Sequence, residues 1–234
     1  MQSLAEPVGL ADRLVEVDAG IADAARAVGR DPAEITRIVV TKFHPAALVA
    51  ELYRLGVRDV GENRQQELAA KAPAVGPLPG LRWHFIGQAQ TNKARAIREV
   101  ASAIHSIDRA RIADAFDSAA GIDDQPLDVL LQVNLTDDPG RGGAAPKDLE
   151  SLAEHVIGCR TLRVRGVMAV APLDEPPAPA FERLRSYADR VRTIVPDADW
   201  ISAGMTADFA DAIAAGATHL RIGSAITGPR PVRG

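Results

Sequence analysis

"ITRIVVTKFHPAALVAELYRLGVRDVG", residues 35–61, holds a short apolar run, a proline, a helix-like stretch, a glycine and a second short run. The first run is brief and rich in β-branched residues, which suits a strand. Pro45 stands where a first helical turn has no use for an N–H, and Gly56 stands where a helix gives up its last turn. The unit reads strand, helix, strand, and a helical crossover of this kind joins parallel neighbours.

The unit recurs to the end of the chain. "LRWHFIG" (81–87), "ASAIHSI" (101–107), "LDVLLQVNL" (127–135), "LRVRGVMAV" (162–170), "ADWISAG" (198–204) and "ATHLRIG" (217–223) bring the strand candidates to eight. Helix-like segments separate them, each bounded by Pro, Gly or an N-cap candidate such as Asp108 or Thr206. The pattern predicts an α/β fold, a single (β/α)8 TIM-type barrel rather than an open doubly wound sheet. Apolar residues at helical spacing, Leu10, Leu14, Val17, Ile21 and Ala25, predict an extra N-terminal helix ending near Gly29. The expected organisation is one barrel domain over residues 1–234, with residues 1–30 as a helix packed on it. "PAVGPLPG" (73–80) and "PLDEPPAPA" (172–180) read as Pro-rich loops within the alternation, not as domain linkers.

Composition narrows the function. The 234 residues carry a net charge of −4 with basic residues scattered along the chain, which predicts no nucleic-acid partner. No apolar run is long enough for a bilayer, and the N-terminal stretch carries acids where a signal peptide carries basic residues. Cys159 is the only cysteine, so no internal disulfide can form, and the expected location is the cytoplasm. No metal site is expected: His105, His155 and His219 have no carboxylate or cysteine companions at ligand spacing.

In such a barrel, chemistry collects where the strands end. Those ends carry Lys42, Asn63, His84 and Met168, then "SAGMT" (202–206) and "RIGS" (221–224). Loops seven and eight are the usual phosphate site of these barrels. Gly204 and Gly223 would let the backbone approach an anion, Thr206 and Ser224 offer hydroxyls, and Arg221 offers a cationic fork. The same residues are equally suited to plain turns and caps. A lysine beside apolar surface, desolvated and neutral, can attack an aldehyde. Pyridoxal 5′-phosphate (PLP) supplies an aldehyde for Lys42 and a phosphate for the two loops, which favours it over a plain surface lysine.

The blocks "VVTKFHP", "GENRQQE", "WHFIGQAQTNK", "IHSIDR", "LLQVNLTDD", "RGVMAVAP" and "ISAGMTADFADAIAAGATHLRIGSAITG" follow one another along nearly the whole chain. In order and spacing they resemble the pyridoxal-phosphate homeostasis proteins, whose fold resembles the N-terminal barrel of alanine racemase. The resemblance implies PLP as cofactor and Lys42 as its Schiff-base lysine. It also implies Ser202, Thr206, Gly223 and Ser224 near the phosphate, and Arg221 facing the pyridine nitrogen. A permanently charged arginine there would leave that nitrogen unprotonated and weaken the ring as an electron sink. Asn63 has two readings, a partner for the ring hydroxyl or a helix cap, and His84 also has two, ring contact or a satisfied core residue. "GQAQTNK" stands where "GxLQSNK" is usual, and "DDPGRGG" has Arg141 and glycines where a lysine and serine are common.

Racemase chemistry on this barrel needs a second base, which in racemases is a tyrosine from an appended β-domain of a partner subunit. Only about ten residues follow strand eight, where no such domain is expected, and Tyr53 and Tyr187 read as helix packing residues. The expected function is therefore covalent PLP binding in PLP homeostasis and supply, with no catalytic residues. A PLP-dependent amino-acid racemase and a barrel enzyme acting on a phosphorylated small molecule are the alternatives. PLP-dependent apo-enzymes are the expected protein partners, and a monomer is the expected state. His44 is expected to point away from Lys42. Cys159 reads as a small buried side chain, and "KARAIRE" (93–99) as a solvated helix face with Lys93 in a salt bridge.

Overall fold

The computed structural model describes residues 9–122, 124–136 and 138–231. Residues 1–8 of the expected N-terminal helical segment lie outside it. Eight parallel strands form a closed barrel in chain order: β1 (Thr36–Val40), β2 (Asp59–Glu62), β3 (Arg82–Phe85), β4 (Ala103–Ile107), β5 (Leu127–Gln132), β6 (Leu162–Met168), β7 (Trp200–Ser202) and β8 (His219–Ile222). Closure comes from β1, which pairs with β2 through Val39 and Val60 and with β8 from Thr36 and His219 to Val39 and Ile222. All eight predicted strands are present.

Helix α1 (Leu10–Ala27) precedes the barrel. The crossovers are α2 (Ala46–Arg54), α3 (Gln65–Val75), α4 (Ala94–Arg98), α5 (Ala110–Ser118), α6 (Leu149–Ile157), α7 (Pro177–Arg192) and α8 (Phe209–Ala214), and α9 (Ser224–Thr227) follows β8. The strand alternation sorts side chains into two layers. Val39, Val60, Phe85, Ile104, Val129, Val167 and Leu220 join the continuous apolar layer under the helices. Ile38, Val40, Ala103, Leu130 and Met168 are equally buried but stand apart from that layer, inside the barrel. Helix α1 buries Leu14, Ile21 and Ala25 and packs on α8 and α9. Arg13 Nε fastens it to the Ile226 carbonyl at 2.7 Å, and Arg30, just beyond it, donates to the Ile213 and Ala217 carbonyls.

Three local expectations change. Neither predicted N-cap caps a helix: Asp108 pairs with Arg109, which itself precedes α5, and α8 starts after Asp208 rather than Thr206. The Asp208 carboxylate accepts instead from the Met205 N–H, closing the loop after β7. "KARAIRE" is solvated on one side only, at Arg95 and Glu99. Ala94, Ile97 and Arg98 are buried, and Arg98 donates to the carbonyls of Phe116, Gln125 and Thr161, joining α4 to the far ends of β5 and β6.

The C-terminal ends of β2 and β3 touch through backbone. A Cβ on Gly87 would lie 1.9 Å from the Asn63 carbonyl oxygen and 2.8 Å from its Cα, so only glycine fits there. Gly87→Ala is expected to cost on the order of 3 kcal/mol, since neither backbone can move aside without breaking the sheet. A urea midpoint within experimental scatter of the parent would show that this contact is loose.

Candidate functional site

Where the strands end, Val40, Lys42, Phe43, His44, Asn63, Ile86, Val170, Met205, Thr206, Arg221, Gly223, Ser224 and Arg230 surround a pocket of about 480 Å³. Of three larger cavities, those of about 720 and 700 Å³ share none of these residues and that of about 580 Å³ shares Asn63. The pocket volume suits a small-molecule or cofactor site, roughly 300–1,000 Å³. Of the residues singled out from sequence, Lys42, Asn63, Thr206, Arg221, Gly223 and Ser224 come together here.

Lys42 lies two residues past β1, on the turn that enters α2. It is exposed, so the apolar desolvation expected from its strand is not what surrounds it. Its Nζ stands 5.9 Å from the Phe43 ring centroid. Arg64 and Arg230 approach the same ring, their Cζ atoms at 5.3 and 3.9 Å, so three cations gather at the mouth. His44 lines the same pocket instead of turning away. Strand alternation ends at Val40, and the turn that follows returns the His44 N–H to the Thr41 carbonyl at 3.1 Å. Burial, with repulsion from Lys71, lowers the pKa of His44.

Opposite Lys42, the first turn of α9 begins at Ser224, where leading N–H groups have no acceptor within the helix. Gly223 and Thr206 border the same space. Gly204 does not. Its φ is +88°, and a Cβ there would meet Ala212 Cβ at 2.7 Å, so this glycine serves the packing of α8. Asn63 lines both this pocket and a neighbouring cavity beside α3, and its Oδ1 is buried with no hydrogen-bond partner among the described residues, an orphaned acceptor that a ligand hydroxyl would satisfy.

Arg221 is buried and forms the pocket floor. Its Nη1 donates to Ser202 Oγ at 2.7 Å and its Nη2 to the Ala169 carbonyl at 2.8 Å. Burial pushes its pKa down to about 10, which leaves it cationic at neutral pH. Beneath it runs a chain of contacts. Ser202 Oγ meets His105 Nδ1 at 2.9 Å, His105 Nε2 meets His84 Nδ1 at 2.9 Å, and His84 Nε2 meets Asp59 Oδ1 at 2.8 Å. With both imidazoles neutral, the Asp59 end fixes the direction, because a carboxylate only accepts and a neutral imidazole carries a single N–H. His84 Nε2 therefore donates to Asp59, His105 Nε2 donates to His84 Nδ1, and the Ser202 hydroxyl donates to His105 Nδ1 while accepting from Arg221. Burial lowers the pKa of both histidines, in accord with that assignment.

Three of the expected cofactor residues lie outside the pocket lining. His84, Met168 and Ser202 are buried inside the barrel and do not line the pocket. Ser202 holds Arg221 from below, and both ring nitrogens of His84 are taken. The spans between β2, β3, β4, β7 and β8 that create the chain carry no signal in sequence spacing. Phe43, His44, Ile86, Met205 and Arg230 were not expected in the pocket; the first four stand just beyond strand ends, whereas Arg230 lies past α9 and carries no such signal.

Neither tyrosine lines the pocket. Tyr53 donates to the Pro79 carbonyl under the Arg58 guanidinium, and Tyr187 borders a different cavity. His155 does have companions, contrary to expectation. Asp114 Oδ1 lies 2.6 Å from its Nε2, and Cys159 is one helical turn away with its thiol pushed up to about 11, chiefly by burial. Cys159 itself is half-buried rather than fully enclosed.

Residues 22–231 match the family model for the alanine racemase N-terminal domain. The chain belongs to that family. Within it, the chain is 41% identical over 227 residues to the pyridoxal phosphate homeostasis protein of Pseudomonas aeruginosa, covering 94% of this chain and 96% of that protein. The protein of the same name from Escherichia coli strain K12 is 39% identical over 226 residues, covering 94% and 97%. The solved structure of PipY from Synechococcus elongatus PCC7942 with PLP bound superposes with a TM-score of 0.83 at 33% identity, over 94% of this chain and all of that one. The family barrel is the fold described above. No helix among the described residues is long and apolar enough to cross a membrane.

Proposed function

We propose that this chain binds PLP in the pocket at the strand ends and serves PLP homeostasis and supply, without turning over amino acids. The observation that carries the reading is the joint placement of one amine, one orphaned acceptor and one helix start around a single pocket. When bound, PLP supplies an aldehyde that condenses with the Lys42 amine, releasing water and leaving a lysine Schiff base. The first turn of α9 with Thr206 and Ser224 receives the phosphate. The orphaned Asn63 Oδ1 accepts from the ring hydroxyl. Arg221 faces the ring nitrogen, and its fixed charge holds that nitrogen unprotonated.

PLP binding by PipY and the name shared by the two relatives support this reading. The absence of both tyrosines from the pocket supports a carrier over a racemase. His44 is the pocket's other candidate base, so the racemase reading has a specific residue to test. The domain acts as one unit, with α1 as part of its wall. It works as a monomer in the cytoplasm, where the free Cys159 stays reduced, and delivers PLP to PLP-dependent apo-enzymes.

The test is α-proton exchange. PLP-loaded protein mixed with L- or D-alanine in deuterated water is expected to exchange no faster than free PLP at the same concentration. Exchange well above that rate, lost in both Lys42→Ala and His44→Ala, would establish the racemase reading instead.

A further inference from the structure

Beside the pocket, a buried cluster reaches from β2 and α3 to the turn that carries Lys42. Lys71, on α3, is buried, and its ammonium donates to the Thr41 carbonyl at 2.8 Å, to Glu62 Oε1 at 2.6 Å and to Glu67 Oε2 at 3.3 Å. All three of its donors are thereby used. Glu62 is fully buried and also accepts from Thr41 Oγ1 at 2.6 Å. Glu67 Oε2 accepts from the Phe43 backbone N–H at 2.7 Å. The residues on either side of Lys42 are thus held from the neighbouring strand and helix, Thr41 by carbonyl and hydroxyl, Phe43 by its amide.

Phe43 needs such a hold. It has φ +70°, the only non-glycine residue with positive φ among the described residues, and an aromatic side chain is poorly suited to that region. Backbone of this kind persists where its surroundings over-determine it, commonly at functional sites. A cluster serving only to join α3 to the barrel could have ended on side chains. Here it ends on the main chain of the two residues that flank the amine.

We propose that Glu67 and Lys71 are positioning residues that hold the Thr41–Phe43 turn in its left-handed bend and so aim Lys42 into the pocket. The inference rests on the reading of Lys42 as the PLP lysine. A charged hydrogen bond to the Phe43 N–H fixes the bend, and the bend sets the direction of the intervening side chain. Without it the turn relaxes to negative φ and Lys42 points elsewhere, while the phosphate loops, on the other side of the pocket, are untouched.

The experiment separates aiming from binding. Full-length apo-protein is mixed with PLP, and the rate at which the covalent absorbance band develops is followed. Affinity is measured separately with pyridoxamine 5′-phosphate, which lacks the aldehyde. Glu67→Ala is expected to slow the covalent step about tenfold, a modest value for a misplaced reacting group, and to leave the affinity for pyridoxamine 5′-phosphate within about twofold. Glu67→Gln keeps an acceptor for the Phe43 N–H and is expected to restore most of the rate. Because Glu67 is partly exposed, Glu67→Ala should leave the barrel folded. A wild-type rate in Glu67→Ala, or equal losses in rate and in analogue affinity, would overturn the positioning role. A parent protein that forms no covalent band, or a Lys42→Ala protein that keeps it, would overturn the reading of Lys42 itself.

Discussion

Lys42→Ala is expected to abolish the covalent PLP band entirely while leaving a protein that still takes up PLP weakly. None of the other three lysines, Lys71, Lys93 and Lys147, lines the pocket. Lys71 spends its three donors on Thr41, Glu62 and Glu67, and Lys93 borders the cavity beside α3 that shares only Asn63 with the pocket. Only Lys42 lines the pocket that contains Arg221 and the start of α9. Those anchors remain in the variant, so equilibrium dialysis should still detect bound PLP, displaceable by inorganic phosphate. Retention of the band would mean that another amine forms the linkage.

Acidification below pH 6.5 is expected to destabilise the fold steeply. His84, His105 and His219 lie inside the barrel with ring centroids 5.1 to 6.4 Å apart. Burial lowers all three pKa values, that of His219 to about 3. The unfolded chain binds a proton at each near pH 6.5 and the folded chain does not, so stability is full above 6.5 and falls as pH drops below it. Each group adds a slope approaching about 1.4 kcal/mol per pH unit between 6.5 and its own folded pKa, a range that for His219 extends down to about 3. Glu62, whose pKa burial raises, has the opposite sign but is a single group. Asp59 and Glu67 have lowered values and act only at more acid pH. Urea midpoints should fall sharply between pH 6.5 and 5.5; a flat profile would mean that the histidines take up protons without unfolding.

The eight strands were legible because each is a short apolar run closed by Gly, Pro or a polar turn, and the crossovers carried their own stop signals. Lys42, Asn63, Arg221 and Ser224 were legible for a related reason. In a closed parallel barrel, position along a strand determines height above the floor, and these four stand at or just past a strand end. Strand-end position alone is not sufficient: Ser202 closes β7 yet is buried beneath Arg221 of β8, and His84 of β3 is held by Asp59 and His105 within the barrel. His44 was misplaced because alternation was carried past Val40 into a turn. The cluster around Lys71 was out of reach for another reason: an ammonium 30 residues from Thr41 in sequence finds that carbonyl only through the packing of α3 on the barrel. Arg98 shows the same limit, since a charged residue in a five-residue helix gives no sign that three carbonyls await it.

Borohydride reduction of the PLP-loaded protein, followed by proteolysis and mass mapping, tests the central claim most directly. Reduction converts a lysine Schiff base into a stable secondary amine and marks the residue that formed it. The sequence has only four lysines, Lys42, Lys71, Lys93 and Lys147, so the assignment is unambiguous. The predicted result is one pyridoxyl-phosphate label per chain, on Lys42 alone. A label on Lys71, Lys93 or Lys147 with Lys42 unmodified would contradict it.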